Sequence, residues 1–502
     1  MCQKIKMGNM VYREGQKVRK DSFNVKQLRK AIRLSENPTF QRNFRKFSKL
    51  FTKKRLKEIY DKRKRFTDRE KLIALSLYKK GPHAYRLLAK MYVLPSQREL
   101  QKLTSSLYKE DELRINERMY MQLQSRATRM KGMEKMCVLL FDEVNIGPSL
   151  KKKLKKTVVT NDGSSHKCRI ADHAIIFMIR LIFKKKNQPI AYKFSFGRYS
   201  RNKLKILIEN IISDLQLCGF RVMATVCDHD ARNVAAINKL IEETKEKYLG
   251  MNKKYTQQTF EVNSKEIVPL FDAPHLMKGI RNDLITKDLK CTLDGKERVA
   301  KWNHFVQYEK VCQSVFGSKG MHTISKHHVD PKKIDIIDPF YAIELFCDKN
   351  GRFMANMAGQ SLRSCPNSIP EEAVDTAFVT LFLDKLYKSM SGSYEYKDRH
   401  EDEPLLALVN TKKHLHQKVW QDSILAFKSM KFLTKDGKEV STNSIQCWIL
   451  TLENIKYLSR NLFVKHNVTK FWMIRFNMEP LMDFIKRIQK YGCRNITTYE
   501  TK

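Results

Sequence analysis

The most constraining stretch of this chain is Cys137-Val138-Leu139-Leu140-Phe141-Asp142-Glu143-Val144-Asn145-Ile146, an apolar run broken by two carboxylates. Such a run reads as a strand buried on both faces. A carboxylate at its end is costly to bury unless a cation compensates it. The pattern recurs at Phe220-Arg221-Val222-Met223-Ala224-Thr225-Val226-Cys227-Asp228, followed by a helical segment. Two readings stand. Each Asp caps the element after it, or the strands lie side by side and Asp142 and Asp228 form a divalent-metal site for phosphate chemistry. The recurrence in this order favours the metal site.

At 502 residues the chain is too long for one core, so two or three domains are expected. A hydrophobic content of 42% is enough to build them. No run approaches the ~18 apolar residues of a membrane span, so no membrane partner is expected. The 97 Lys and Arg against 53 Asp and Glu give a formal charge of +44, which calls for an anionic partner, nucleic acid first. Residues 1–70 alone carry 23 Lys and Arg against 7 Asp and Glu, a net +16. Eleven cysteines, none within four residues of another, exclude CxxC-type zinc sites and fit reduced intracellular thiols. A nuclear or cytosolic chain is expected, and a DNA partner makes the nucleus the choice.

Along the chain, residues 1–65 form a basic tail with clusters Lys53-Lys54-Arg55 and Lys62-Arg63-Lys64-Arg65, candidates for nucleic-acid contact or nuclear import. Residues 66–130 read as a small helical unit. Thr67-Asp68-Arg69-Glu70 resembles a capping box, Gly81-Pro82 is a break, and further helices run over Ala84 to Met91 and from Gln97. It is either helix-turn-helix-like, binding DNA through a helix, or an ordinary packing module. Strands follow at 137–146, 172–183 and 189–196, then a helix over 203–217 with Leu204, Leu207, Ile208, Ile211, Ile212 and Leu215 on one face. After the Asp228 strand come a helix from Ala231, a strand at Ile267–Asp272, and a helix opened by Ala273-Pro274-His275. Three strands, helix, strand, helix, strand is the order of an α/β RNase H-like domain. His275 and Lys278 either contact phosphate at a helix N-terminus or belong to a structural strand-to-helix turn. His327-His328 and His414-Leu415-His416 lack neighbouring ligands and read as surface histidines rather than metal sites. The apolar spacing of 449–463 reads as core rather than a dimer zipper.

Five strings occur in order: LLFDEVNI (139–146), VCDHDARNVAAINKL (226–240), LFDAPHLMKGIRNDL (270–284), MAGQSLRSCPNSIPEEAVDTAFVTLFLDKLYKSMSG (357–392) and FNMEPLMDFIKRIQKYGCRN (476–495). Together they resemble the P element family of DNA transposases, whose relatives include proteins with a THAP-type zinc finger. The resemblance implies an RNase H-like domain, residues 131–272 with a returning helix in 471–502, interrupted by a large mostly α-helical insertion over 273–470. It also implies metal-dependent phosphodiester cleavage and strand transfer, with Mg2+ or Mn2+ held by Asp142 and Asp228. GTP bound by the insertion, and a homo-oligomer on DNA, are implied in the same way.

The chain departs from that pattern in three places. Where the family reads Asn-Gln-Asp-any-Leu-Glu-Asn on the returning helix, with Glu as the third metal ligand, this chain reads Asn477-Met478-Glu479-Pro480-Leu481-Met482-Asp483. The ligand position is Met482, and a thioether cannot replace a carboxylate for Mg2+. Pro480 at the first helical position makes Glu479 the N-cap. Glu479 and Asp483 share a helix face. Either one supplies the missing catalytic carboxylate, or both merely complement the helix dipole, the latter being preferred. No paired Cys and His of a zinc finger occurs in residues 1–65, and the sequence ends at Lys502. The expectation is a truncated or domesticated transposase whose catalysis is impaired, with a DNA-binding protein lacking catalysis as the alternative.

Overall fold

The computed structural model describes residues 114–145, 172–195, 197–316, 324–360, 369–393, 402–411 and 415–490. It also describes the short strands Val158–Val159 and Ser165–His166 and individual positions between 66 and 100. The chain divides into two compact units, Met1–Glu110 and Asp111–Lys502. In the first, Ala74, Leu75, Tyr85 and Leu100 are buried together, and the Tyr85 hydroxyl donates to the Pro95 carbonyl at 2.7 Å. Ser96 and Glu99 form a reciprocal capping box that starts the helix at Gln97, as the sequence predicts. The basic clusters Lys53-Lys54-Arg55 and Lys62-Arg63-Lys64-Arg65 lie outside the described residues, as does most of the expected first helix.

The second unit is built on a six-stranded sheet. Its strands are β1 (Met136–Asn145), β2 (His173–Leu181), β3 (Asn187–Ser195), β4 (Arg221–Cys227), β5 (Phe260–Val262) and β6 (Lys265–Phe271), in the order β3-β2-β1-β4-β6-β5. β1, β2 and β3 are an antiparallel meander, β4 and β6 run parallel to β1, and β5 is antiparallel to β6. This mixed sheet, three antiparallel strands followed by parallel ones joined through helices, has the arrangement expected from the sequence for an RNase H-like domain. Met136 to Phe141 are at most 1% exposed, as a central strand covered on both faces requires. Each such Val, Leu or Phe contributes about 1.5–3 kcal/mol of burial.

A parallel neighbour needs a crossover. α2 (Arg201–Leu217) supplies it between β3 and β4, capped by Ser200 and burying the six apolar residues of its predicted face. Gly219 ends it with φ at +94°, a conformation a side chain would resist. α1 (Glu117–Thr128) packs against α2, and buried Asp214 of α2 accepts from the Ile115 amide at 2.9 Å and from Arg114 at 3.3 Å. These bonds hold α1 to the second unit, whereas the sequence reading grouped residues 111–130 with the preceding helices. α3 (Ala231–Leu249) then leads to β5, and α4 (Ala273–Leu284) follows β6.

Beyond α4 the chain is not purely helical. β7 (Asp288–Leu293) and β8 (Lys296–Ala300) form a hairpin about Asp294-Gly295, both at positive φ as a tight two-residue turn demands. β9 (Lys431–Leu433) and β10 (Glu439–Val440) complete a four-stranded sheet in the order β8-β7-β9-β10. The helices that follow are α5 (Trp302–Phe316), α6 (Phe340–Leu345), α7 (Asp348–Met357), α8 (Ala373–Ser391), α9 (Leu415–Ser429) and α10 (Asn443–His466), of which α8 packs against β8 and α9 against β7. α10 buries Ile445, Trp448, Leu452, Ile455, Leu458 and Leu462, so the spacing of 449–463 is core. It also serves the sheet: Thr451 accepts from the Phe271 amide at 3.1 Å, and Asn454 donates to Pro269 O at 2.8 Å. α11 (Glu479–Lys490) returns to pack against β1.

Two of the histidines expected on the surface are inside, and His414 lies outside the described residues. His328 and His416 are 5% and 2% exposed, not on the surface. His328 lies between Ser325 and Glu344, which engage both its ring nitrogens, whereas His416 meets the Ser389 hydroxyl through Nδ1 only and its Nε2 is buried without a partner. His327 is exposed. Among the described residues no helix is long and apolar enough to cross a membrane.

Candidate active site

Leu140 of β1 pairs with Val226 of β4, so two residues further along the parallel strands Asp142 comes level with Asp228. Leu140 and Val226 are wholly buried, and the chain turns polar on both strands at the same level. Asp228 accepts from the Asn233 side chain at 2.5 Å and from the Asp230 amide at 3.2 Å. These bonds from the start of α3 orient it, while the capping itself falls to Asp230, which accepts from the Arg232 amide. Asp142 is not a cap either: it lies within β1, which continues to Asn145. Burial, and then the charge of Asp228, push the Asp142 pKa up to about 7, while His275 and Lys278 pull it down. Glu143 accepts from the Tyr199 amide at 2.8 Å, and burial raises its pKa.

The third strand of the parallel set ends in the same residue type. Asp272 follows β6, and its amide donates to Cys227 O at 2.9 Å. Its carboxylate is fully committed: Oδ2 accepts from the His275 amide at 3.3 Å and meets His275 Nδ1 at 2.6 Å, and Oδ1 accepts from the Met478 amide at 2.7 Å. Burial opposes charge on His275, but the bond to Asp272 outweighs it and raises the pKa. His275 is therefore an interior partner of Asp272, and the strand-to-helix turn is structural. The α4 N-terminus, already capped by a carboxylate, is not free for an anion.

Lys278 is half-buried one turn on, and burial lowers its pKa against the pull of Asp228 and Asp142. His229 is pressed beside Gly279, where a Cβ would stand 2.6 Å from His229 Nε2 and 2.8 Å from Ser444 Cβ. Its burial lowers the imidazole pKa to about 4, so the ring is neutral. The Asn443 side chain donates to His229 O at 2.9 Å, tying the start of α10 to the Asp228 loop.

The returning helix brings no third carboxylate inward. It starts at Glu479, one residue earlier than expected, because the Met478 carbonyl already accepts from the Leu481 and Met482 amides. Leu481 and Ile485 are buried and Met482 packs against the same core. Glu479 is exposed, as is Asp483, whose nearest cation is Arg487 at 3.9 Å. Among the described residues, no three or more His, Cys, Asp or Glu side chains converge as a metal-holding group. Asp142 and Asp228 thus come level at the ends of neighbouring strands, while the returning helix turns the thioether of Met482 toward the core. Sequence reasoning missed Arg180 of β2, which donates to Asn477 O at 3.0 Å and Asn477 Oδ1 at 2.5 Å. The signal was there: it is the one cation inside the apolar run Ala174–Phe183.

Residues 112–241 match the family described as TNP-like, RNase H N-terminal domain. The Drosophila P element transposase strand transfer complex is similar in structure, with a TM-score of 0.65 at 16% identity, covering 91% of this chain and 95% of that one. No curated protein matches the sequence. The two matches support the P element-like transposase family on which the sequence motifs converge: the chain carries a TNP-like RNase H N-terminal domain within the fold of the P element transposase.

Proposed function

We propose that this chain is a P element-like transposase protein that binds DNA and holds a divalent ion, Mg2+ or Mn2+, between Asp142 and Asp228, with strand cleavage impaired by the loss of the third ligand. The observation that carries the proposal is the level pair of carboxylates on neighbouring parallel strands, one of them held protonated to about pH 7 by burial and by the other. Such a pair is short of positive charge and fits a divalent cation. When bound, the ion would supply Lewis acidity to water or a DNA hydroxyl and to the leaving oxygen. Asn233 and the Asp230 amide orient Asp228 for that task, and Lys278 lends charge to both carboxylates.

Residues 273–470 stand as the insertion that interrupts this domain, with GTP as the ligand its family resemblance suggests. The basic residues 1–70, including Lys53 to Arg55 and Lys62 to Arg65, supply DNA contacts, and homo-oligomeric assembly in the nucleus completes the reading. A second reading, a DNA-binding protein that keeps the fold without the chemistry, is favoured by Met482 packed into the core. One experiment separates them. Met482→Glu is expected to raise Mg2+-dependent cleavage of DNA carrying the element ends, by about tenfold or more if the rest of the site is sound. If the unaltered chain already cleaves efficiently and Asp483→Asn abolishes cleavage, Asp483 is the third ligand and the impairment does not exist. If Met482→Glu cleaves no better than a nearly inert parent, the second reading holds.

A further inference from the structure

Two charged side chains that stand far away in sequence hold the beginning of α11. Asp272 binds the Met478 amide across 206 residues, and Arg180 binds Asn477 across 297. Both are buried, at 1% and 5% exposure. Arg180 pairs with Val138 and Ile176 with Asp142, so Arg180 lies on the same face of the sheet as Asp142. Asp272 stands at the end of β6, beside the strand that carries Asp228. The carboxylate pair is therefore flanked by a grip on two successive residues, 477 and 478, immediately before the helix that owes the site its third ligand.

We infer that Asp272 is a positioning residue that fixes the register of α11 against β1, and that His275 holds its carboxylate in place. A clamp at residue 478 sets which of the following positions turns inward. It turns Leu481, Met482 and Ile485 to the core and leaves Glu479 and Asp483 outside. A half-turn slip, which would bring Asp483 inward, would break the Asp272–Met478 bond and leave a buried carboxylate short of a donor. The chain is thereby locked into presenting a thioether at the ligand position. Only the consequence for metal binding rests on the function proposed above; the clamp itself does not.

The test uses the full chain. Asp272→Ser keeps a cap for α4 but cannot reach Met478. Hydrogen exchange over residues 478–485 is expected to quicken about tenfold or more while β1 stays protected. Asp272→Asn keeps one acceptor oxygen and puts an NH2 where the other stood. With that oxygen on Met478 it is the α4 cap that is lost, so exchange over 478–485 is expected to change less than in Asp272→Ser, while the Met478 amide resonance moves in protein labelled with [15N]methionine. That measurement also stands if the Ser variant does not fold. Unchanged exchange in Asp272→Ser, or a Met478 resonance indifferent to Asp272→Asn, overturns the clamp. In a Met482→Glu background, Mn2+ binding read by electron paramagnetic resonance is expected to gain a second ion. Asp272→Ser should remove it and cut cleavage by about a hundredfold, whereas Asp272→Asn should preserve both. If the second ion persists in the Ser variant, the clamp does not position the ligand. If Met482→Glu gains no ion at all, the third-ligand reading fails, and the exchange and resonance results decide the clamp without it.

Discussion

Asp142 carries its burden as a proton. The folded chain holds that proton up to about pH 7, whereas an unfolded chain releases it near about 3.9. Between those values folding is linked to proton uptake, so the stability owed to this group is greatest in acid and falls as pH rises through about 7. Asp142→Asn abolishes the penalty. Its advantage over the parent in metal-free chemical denaturation should be absent at pH 4 and exceed about 1 kcal/mol at pH 8. Asp228→Asn removes the second cause and should lower the Asp142 pKa, with burial still keeping it above that of a free carboxyl; a carboxyl 13C titration reads both. A divalent ion competes with the same proton, so Mn2+ affinity should climb as pH rises toward 7 and level off above it.

At the scale of elements, close approach is what assembles the site. Gly279 lets α4, α10 and His229 meet. Gly279→Ala should destabilise the second unit by about 1–3 kcal/mol, seen as a lower midpoint in urea. Asn454→Ala strips Pro269 O and Gln258 O of a shared donor and should cost about 1–3 kcal/mol. The order of elements along the chain was legible because β1, β4 and β6 are apolar runs ended by a carboxylate, and because the α2 face repeats at helical spacing. The Asp294-Gly295 hairpin was equally open to reading from its turn residues and was passed over. What local pattern could not carry is partnership. Nothing near Arg180 points to Asn477, and nothing near Asp272 points to Met478. His416 reads as a surface residue until Ser389 is brought beside it. The same limit applies to α11: its apolar positions were plain, but which acid faces outward is decided by a residue two hundred positions earlier.

Across the whole molecule, charge sets the partner and topology sets the order of events. With residues 1–70 contributing +16 of the +44, their deletion should flatten the dependence of DNA affinity on salt. Each lost phosphate contact should remove about 0.9 from the log–log slope, measured by fluorescence anisotropy across a salt series. An unchanged slope would move the contacts to the helical unit of residues 66–130 or to residues 273–470. The long-range grip on Asn477 and Met478 bears on how the chain comes to be folded at all. A ribosome delivers Asp272 well before the amide that will satisfy it, so during synthesis that carboxylate waits beside a nearly complete sheet. Contacts closed over such spans form late and slowly. The sheet can therefore condense early, but the end bearing Asp142 and Asp228 stays open until the C-terminal segment arrives, and a nascent chain does not possess the finished site while it is still being made.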